Sequence, residues 1–491
     1  MEYTRRKFLQ TSLGALAGAA AGGLWSVPGW AAGGTKLELT AQESRIDLGR
    51  GPAFNAFSFN GQTPGPVIRV REGQELQVIL RNRLQRPTTI HWHGQPVPNA
   101  MDGVPGVTQA AVPPGGSFTY RFRAHPAGTY FYHSHFGYQL DQGLYGALIV
   151  EPARPVGGWD REEVLLLADW VLADGGGMAP VPRRSPMGGM MGGGMMGRGR
   201  MGGRGGRGGW SGAPGEPLTE PYYQGYAVNG RLYPHGEPIK VKKGDKVRLR
   251  LINASSATTY DLSLAGHRLT VLALDGQDIT PKTFDVVRLA MGERVDVEFT
   301  ADNPGAWLLQ AYDTGLGESG LATAVLYQGY EDRPPNRPGF RPGLSLATYW
   351  DLAAARPVAH PAGPPQRWYQ QVLSGGMHSP YWSINGRMYP DSERLGAAPG
   401  EKVRLSYFNR SMIPHPMHLH GHFFRIVNFA LPPERWLVKD TAVVEPMRRL
   451  DVEFVADNPG LWFHHCHNLY HMEAGMANLV TYAGATPPKE T

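Results

Sequence analysis

Four separate, non-overlapping His-x-His pairs stand out in this 491-residue sequence: His91/His93, His133/His135, His418/His420 and His465/His467. In an extended strand, residues i and i+2 project from the same face. Each pair therefore presents two imidazoles side by side. Eight imidazoles converging on one place would give two to three nitrogens to each of about three metal ions. The single cysteine, Cys466, sits inside the last pair, in "HHCHNLYHMEAGM", and so points to the opposite face. It serves a second centre, and its covalent link to both flanking histidines offers an electron path between the two. The donors within reach of the thiol are His471, Met476 and a histidine from elsewhere, for which His415, opening "HPMHLHGH", is suited. A trigonal His2Cys set with a weak axial thioether is the blue-copper pattern. Zinc, which prefers a closed tetrahedral site, is the alternative, and an unligated thiol the blandest one. Ten of the 17 histidines are these candidate ligands, more order than scattered surface histidines would show.

The pairs need strands to hold them, and the sequence supplies strands three times over. "FSFNGQTPGPVIRVREGQELQVILRN" from Phe57, "YAVNGRLYPHGEPIKVKKGDKVRLRLIN" from Tyr226 and "WSINGRMYPDSERLGAAPGEKVRLSYFN" from Trp382 share one plan. Each has an Asn-Gly turn, a spacer, a Gly-containing turn and an alternating strand. A second element follows about 70 to 75 residues later in each copy: "HPAGTYFYHSH", "DNPGAWLLQAY", "DNPGLWFHHCH". Short strands between frequent turns, with 65 glycines and 42 prolines, predict an all-β chain of antiparallel sandwiches. The predicted domains are 33–153, 158–330 and 340–486. The middle copy reads "LLQAY" where the outer copies carry histidines. It is expected to be a spacer, with the metal site shared by the outer two. The Asn-Gly pairs read as turn chemistry, and Trp92 and Trp462 as core.

Two segments stand outside this plan. Residues 1–32 carry a twin arginine, Arg5 and Arg6, a mildly apolar Gly/Ala run, and small residues at Ala31 and Ala32. This is the form of a twin-arginine export signal, and predicts a periplasmic or otherwise exported protein. The run is too glycine-rich for a stable membrane span. Residues 175–210, early in the second domain, are a Gly/Arg-rich insertion with Met178, Met187, Met190, Met191, Met195, Met196 and Met201. Thioethers select Cu(I), and a glycine-rich tether lets them swing. The net charge of +6 owes part to this insertion and to the signal, and export leaves no role for nucleic acid as a partner.

Together "HWHG", "HSH", "HPMHLHGH" and "HCHNLYHMEAGM" resemble the four copper-binding motifs of three-domain multicopper oxidases, over nearly the whole exported chain. The resemblance implies three cupredoxin-like Greek-key sandwiches in tandem and four copper ions. It implies a type 1 copper at His415, Cys466, His471 and Met476, and a type 2 copper at His91 and His418. The type 3 pair falls to His93, His133, His135, His420, His465 and His467. It implies electron transfer from a small donor through Cys466 to O2, which leaves as water. Asp102, in "NAMDGVPG", matches the family's acidic proton relay. Glu473 is a weaker second candidate, and His422 and His464 lie beside the motifs but outside the ligand pattern.

The donor is the open question. An axial Met476 argues for a lower type 1 potential than a non-ligating side chain would give. With the methionine-rich insertion it favours Cu(I) as donor; the alternative is a laccase-type oxidation of phenols and aryl amines. Cuprous oxidases of the family carry acidic and methionine residues just before the first type 1 histidine. Here that stretch is "NRSMIPH", with Ser411 and Met412 but no acid. The alternative from another class is an exported copper-sequestering protein. The chain is expected to act as a monomer.

Overall fold

The structure, a computed structural model, describes residues 34–154, 156–172, 220–313, 320–337, 343–376 and 379–487. The export signal and the methionine-rich insertion lie outside the described residues. Strands dominate; one α-helix, Leu469–Glu473, occurs among the described residues.

Six sheets stack as three two-sheet units along the chain. The first has two four-stranded sheets, the second a seven- and a six-stranded sheet, the third a six- and a five-stranded sheet. The same two parallel pairings recur in each. Thr35–Ile46 pairs with Glu75–Asn82, Arg161–Trp170 with Lys246–Asn253, and Arg367–Gly376 with Lys402–Asn409. Gly65–Arg71 pairs with Tyr145–Glu151, Ile239–Val241 with Ala322–Tyr327, and Arg394–Ala397 with Ala477–Tyr482. A parallel pair needs a crossover where an antiparallel one can use a hairpin, so each unit is a Greek-key sandwich and not a meander.

Two asparagines recur with the sheets and explain why the repeats look alike. Asn60, Asn229 and Asn385, the Asn of each Asn-Gly pair, all sit at positive φ. In each the amide oxygen accepts a backbone N–H and the amide NH2 donates to a backbone carbonyl of the first strand. These side chains pin the turn to the sheet. The second set, Asn82, Asn253 and Asn409, ends the strand of each unit that pairs in parallel with its first strand. Each donates to two backbone carbonyls and accepts from the N–H two residues on. Their burial leaves no water to replace those bonds.

The histidine strands lie in register. His91–His93 runs antiparallel to Gly128–His133, with His91 opposite His133. His415–Leu419 runs antiparallel to Leu461–Cys466, with His418 opposite His465 and Met417 opposite Cys466. Opposed residues share a face of the sheet. The first and third units also touch directly: Asn99 donates to Leu461 O at 2.6 Å, and Asn458 to Val97 O at 3.0 Å. Trp92 and Trp462 are fully buried among apolar neighbours.

Replacing Asn82 with Ala removes its bonds to the carbonyls of Arg86 and Val112 and strands the buried Leu84 N–H. The expected loss is about 1–3 kcal/mol, read as a lower midpoint of the first unfolding transition in urea. An unchanged midpoint would mean the loop finds those partners elsewhere.

Candidate metal centre

Eight imidazoles from the first and third units meet in one buried cluster. His91 stacks on His420 and His93 on His418, each pair with ring centroids 3.8 Å apart. Three groups of ring nitrogens lie within 4.8 Å of one another: His91, His418 and His420; His91, His93 and His133; His135, His420 and His465. His467 packs beside His93 at 4.8 Å and His133 at 5.5 Å.

One nitrogen of most rings is fixed by the protein. The Nδ1 of His91, His133, His418 and His465 each lies 2.9 Å from a backbone carbonyl, of Asp102, Ser134, Asp440 and Cys466 in turn. Such a carbonyl fixes the ring's tautomer and turns its other nitrogen inward. Those inward atoms lack protein partners: Nε2 of His91, His133, His135 and His418, Nδ1 of His93, and both nitrogens of His467. His420 Nε2 faces His465 Nε2 at 3.0 Å, a separation that fits two ligands on one ion at bonds of about 2.0 Å. A buried polar atom without a partner costs about 1–3 kcal/mol, so the cluster is built to be completed by cations.

Two carboxylates brace the rings. Asp102 is fully buried; its Oδ2 lies 2.9 Å from His420 Nδ1 and its Oδ1 3.2 Å from His91 Nδ1. It thus joins the two stacked rings, one from each outer unit. Asp440 Oδ1 lies 3.2 Å from His93 Nε2 and 3.5 Å from His418 Nδ1, with Thr441 Oγ1 3.1 Å and 3.0 Å from the same atoms. An Arg294 fork holds Asp440 well below the usual carboxylate range, against the opposing effect of burial.

The thiol centre is separate. Cys466 Sγ lies 3.6 Å from Nδ1 of both His415 and His471, which are 3.1 Å apart. The centre of that triangle is about 2.0 Å from all three atoms, the usual metal–imidazole distance. Met476 is fully buried, and its backbone is tied to Cys466 N and His471 O. Asn468 caps the Leu469–Glu473 helix by accepting from the N–H of Tyr470 and His471, which fixes His471. Trp382 stacks on His471 at 3.7 Å, and Ser411 Oγ lies 2.8 Å from His415 Nε2. Burial pushes the His415 ring down to about 3 and raises the Cys466 thiol. Neutral imidazoles and a proton-bearing thiol therefore await a cation, which displaces that proton.

The two histidines outside the pattern are satisfied elsewhere. His422 bonds to His420 O and Tyr482 Oη, and His464 to Tyr407 Oη and Asn478 Oδ1. Glu473 is half-buried at the helix end, and burial lifts its carboxyl to about 7. Sequence reading missed Asp440, Thr441 and Glu220. Glu220 Oε2 accepts from Asn468 Nδ2 at 3.1 Å and lies 3.9 Å from His471 Nε2. An acid is thus brought beside the thiol centre from a segment 195 positions before His415 (415 − 220 = 195).

Comparison with known proteins identifies this arrangement. Family profiles described as multicopper oxidase match residues 40–155, 207–330 and 362–484. The multicopper oxidase MmcO of Mycobacterium tuberculosis is 37% identical over 90% of this chain and 86% of its own length. The chain belongs to the multicopper oxidase family. A copper resistance protein A homolog of Pseudomonas syringae pv. tomato is 29% identical over 92% of this chain and 95% of its own. The crystal structure of Fet3p, a multicopper oxidase that functions in iron import, superposes with a TM-score of 0.76. It covers 91% of this chain and 90% of its own at 20% identity, and so supports the cupredoxin-like fold. As a multicopper oxidase the chain binds copper and couples a small donor to O2. The unpartnered nitrogens and the His2Cys triangle fit copper on their own geometry.

Burial, with neighbouring imidazoles next in size, holds His93, His133, His135, His420, His465, His467 and His471 neutral well below their ordinary value. In the unfolded chain they take up protons near pH 6.5. Below that pH the unfolded state binds more protons, so stability present above pH 6.5 is lost as pH falls. Copper-free multicopper oxidase should melt at progressively lower temperature from pH 7 to pH 5. Each such ring contributes up to about 1.4 kcal/mol per pH unit. A flat melting profile over that range would show that the rings are charged when folded.

Proposed function

We propose that the chain is a cuprous oxidase holding four copper ions, which takes electrons from Cu(I) at the Cys466 centre and reduces O2 at the imidazole cluster. In this reading His415, Cys466, His471 and Met476 hold the type 1 ion. His91 and His418 hold the type 2 ion, and His93, His133, His135, His420, His465 and His467 the type 3 pair. The observation that carries it is the position of one residue. Cys466 Sγ lies with His415 and His471, while the rings of its neighbours His465 and His467 lie in the cluster. A store for copper would have no need of that connection.

Copper held by these residues would supply one-electron chemistry, so that four Cu(I) donors, one O2 and four protons would give four Cu(II) and two waters. The chain does the rest. The strand Leu461–Cys466 and the following His467 carry electrons the short way between centres. Asp102, touching His91 and His420 and closed to solvent, moves protons to the site where oxygen is reduced. Glu220 gives the approach to His471 a negative charge that attracts a cationic donor. It follows residues 175–210 in the chain, so the methionines are tethered to a residue that sits at the type 1 histidine.

A second reading draws on the same carboxylate. A phenol must lose a proton with its electron, and Glu220 beside His471 is placed to accept it. Residues 1–32 support export by the twin-arginine route. All donors come from one chain, which supports action as a monomer.

Cys466→Ser should abolish the intense visible absorption of a Cu(II)–thiolate bond and all donor oxidation, with the fold intact; turnover in a copper-loaded variant would exclude the proposed path. Asp102→Asn should slow reoxidation of the type 1 centre by O2 more than its reduction, in stopped flow. The donor is decided by steady-state rates with Cu(I), Fe(II) and a phenol. Deleting 178–201 should lower kcat/KM for Cu(I) by about tenfold and leave the phenol rate unchanged. Equal losses would make the segment structural, and no loss would move the phenol reading ahead.

A further inference from the structure

The middle sandwich supplies no ligand, yet it reaches the cluster by two contacts. The first is steric. Gly292, at φ +81°, lies so close that a Cβ there would sit 2.8 Å from His467 and 3.1 Å from His93 Cε1. The second is polar. Arg294, fully buried, donates Nη1 to Asp440 Oδ1 at 2.8 Å and Nη2 to Asp440 Oδ2 at 2.5 Å. Two more of its donors go to backbone: Nε to Thr129 O at 3.1 Å, and Nη1 also to Gly292 O at 3.0 Å. Asp275 Oδ1 lies 3.5 Å away, and Asp275 Oδ2 accepts from the N–H groups of Asp440 and Thr441.

The fork fixes a plane. A guanidinium held by two carboxylate oxygens and two carbonyls cannot rotate, so the Asp440 carboxylate cannot either. Asp440 Oδ1 lies 3.2 Å from His93 Nε2, and Asp440 O is the acceptor of His418 Nδ1. One residue of the middle sandwich thereby reaches a histidine from the first unit and one from the third. Gly94 shows how tight the junction is: a Cβ on it would lie 2.4 Å from Arg294 Nη2 and 2.6 Å from Asp440 Oδ2.

We propose that Arg294, with Gly292 beside it, is a positioning element for the copper cluster: through Asp440 the middle sandwich aims His93 and His418 at their ions and leaves His467 room to bind. This rests on the eight-histidine reading above. Arginine is required because the interaction is bidentate; lysine keeps the charge but holds one oxygen and frees the plane. Loss of an outer carboxylate contact to a metal-bound histidine weakens metal binding or activity by about 10–100-fold. The type 1 centre, whose donors His415, Cys466, His471 and Met476 make no hydrogen bond to the side chain of Arg294 or Asp440, should be untouched.

The test compares Arg294→Lys, Arg294→Gln and Gly292→Ala with the copper-loaded full chain, after refolding state is checked by circular dichroism. Copper per chain, the visible absorption of the thiolate centre and the type 2 paramagnetic resonance signal are read before any rate. Each variant should keep the visible absorption and its donor KM. Each should lose or broaden the type 2 signal, hold fewer ions, and reoxidise about 10–100-fold more slowly with O2. If Arg294→Gln does not fold, Arg294→Lys decides alone, because it preserves the buried charge. Folded variants with full copper, an unaltered type 2 signal and wild-type reoxidation would overturn the proposal. Equal loss of the visible absorption would do so too, since it would make the role one of general stability. A wild-type chain without about four ions and the visible absorption would instead refute the underlying assignment of the histidines.

Discussion

The structure depends on keeping a crowd of imidazoles neutral, buried and short of hydrogen bonds. Water would satisfy such rings, and protons would drive them apart. Both are excluded by bringing two sandwiches face to face, with His91 stacked on His420 and His93 on His418. Neither unit alone has enough rings to build the cluster. Each ring must also be turned, and the chain does this with backbone carbonyls that hold one nitrogen and leave the other without a partner. That arrangement is poor for an empty protein and good for one that binds copper. Folding energy has been given up where the cations recover it.

The period of two in a strand does the wiring. Cys466 and its neighbours alternate across one sheet, so a single strand faces two centres. The pairing of His415–Leu419 with Leu461–Cys466 repeats the alternation: Met417 lies opposite Cys466, and His418 opposite His465. A one-residue slip would exchange the contents of the two centres. Register is held by the antiparallel partner on the other side, where Thr441–Val444 pairs with the same strand.

Much of this was legible because it is local. His-x-His spacing, the lone thiol between two histidines, and three copies of one turn–strand pattern are all short-range signals. The Asn-Gly turns were read as turn chemistry, and their asparagines prove to do more, tying each turn to the first strand of its unit. What escaped is what acts at a distance. Nothing near Asp440 in "VKDTAVV" marks it as the carboxylate that braces His93, a partner 347 positions away (440 − 93 = 347). Glu220 is an isolated acid until the fold sets it beside His471. The middle copy, lacking the His-x-His pairs, reads as a spacer, because a spacer and a brace have the same ligand-free sequence.

The brace acts on both centres. At the thiol centre the helix carrying His471 is anchored by Leu469 N to Ser256 O of the middle sandwich, and by Tyr470 Oη to Asp141 of the first. Tyr223, again from the middle unit, donates to the other oxygen of Asp141. Asp169 locks the Ser256 loop by accepting from the N–H groups of Ser256 and Ala257 and from Thr258 Oγ1. So His471, like His93 and His418, is placed by a chain of contacts that passes through all three units. The distance between donor atoms at a metal must hold to a few tenths of an ångström. A third body touching both partners adds contacts that resist their relative motion. The ligand-free sandwich is therefore part of what holds the imidazole cluster and the thiol centre in place with respect to each other.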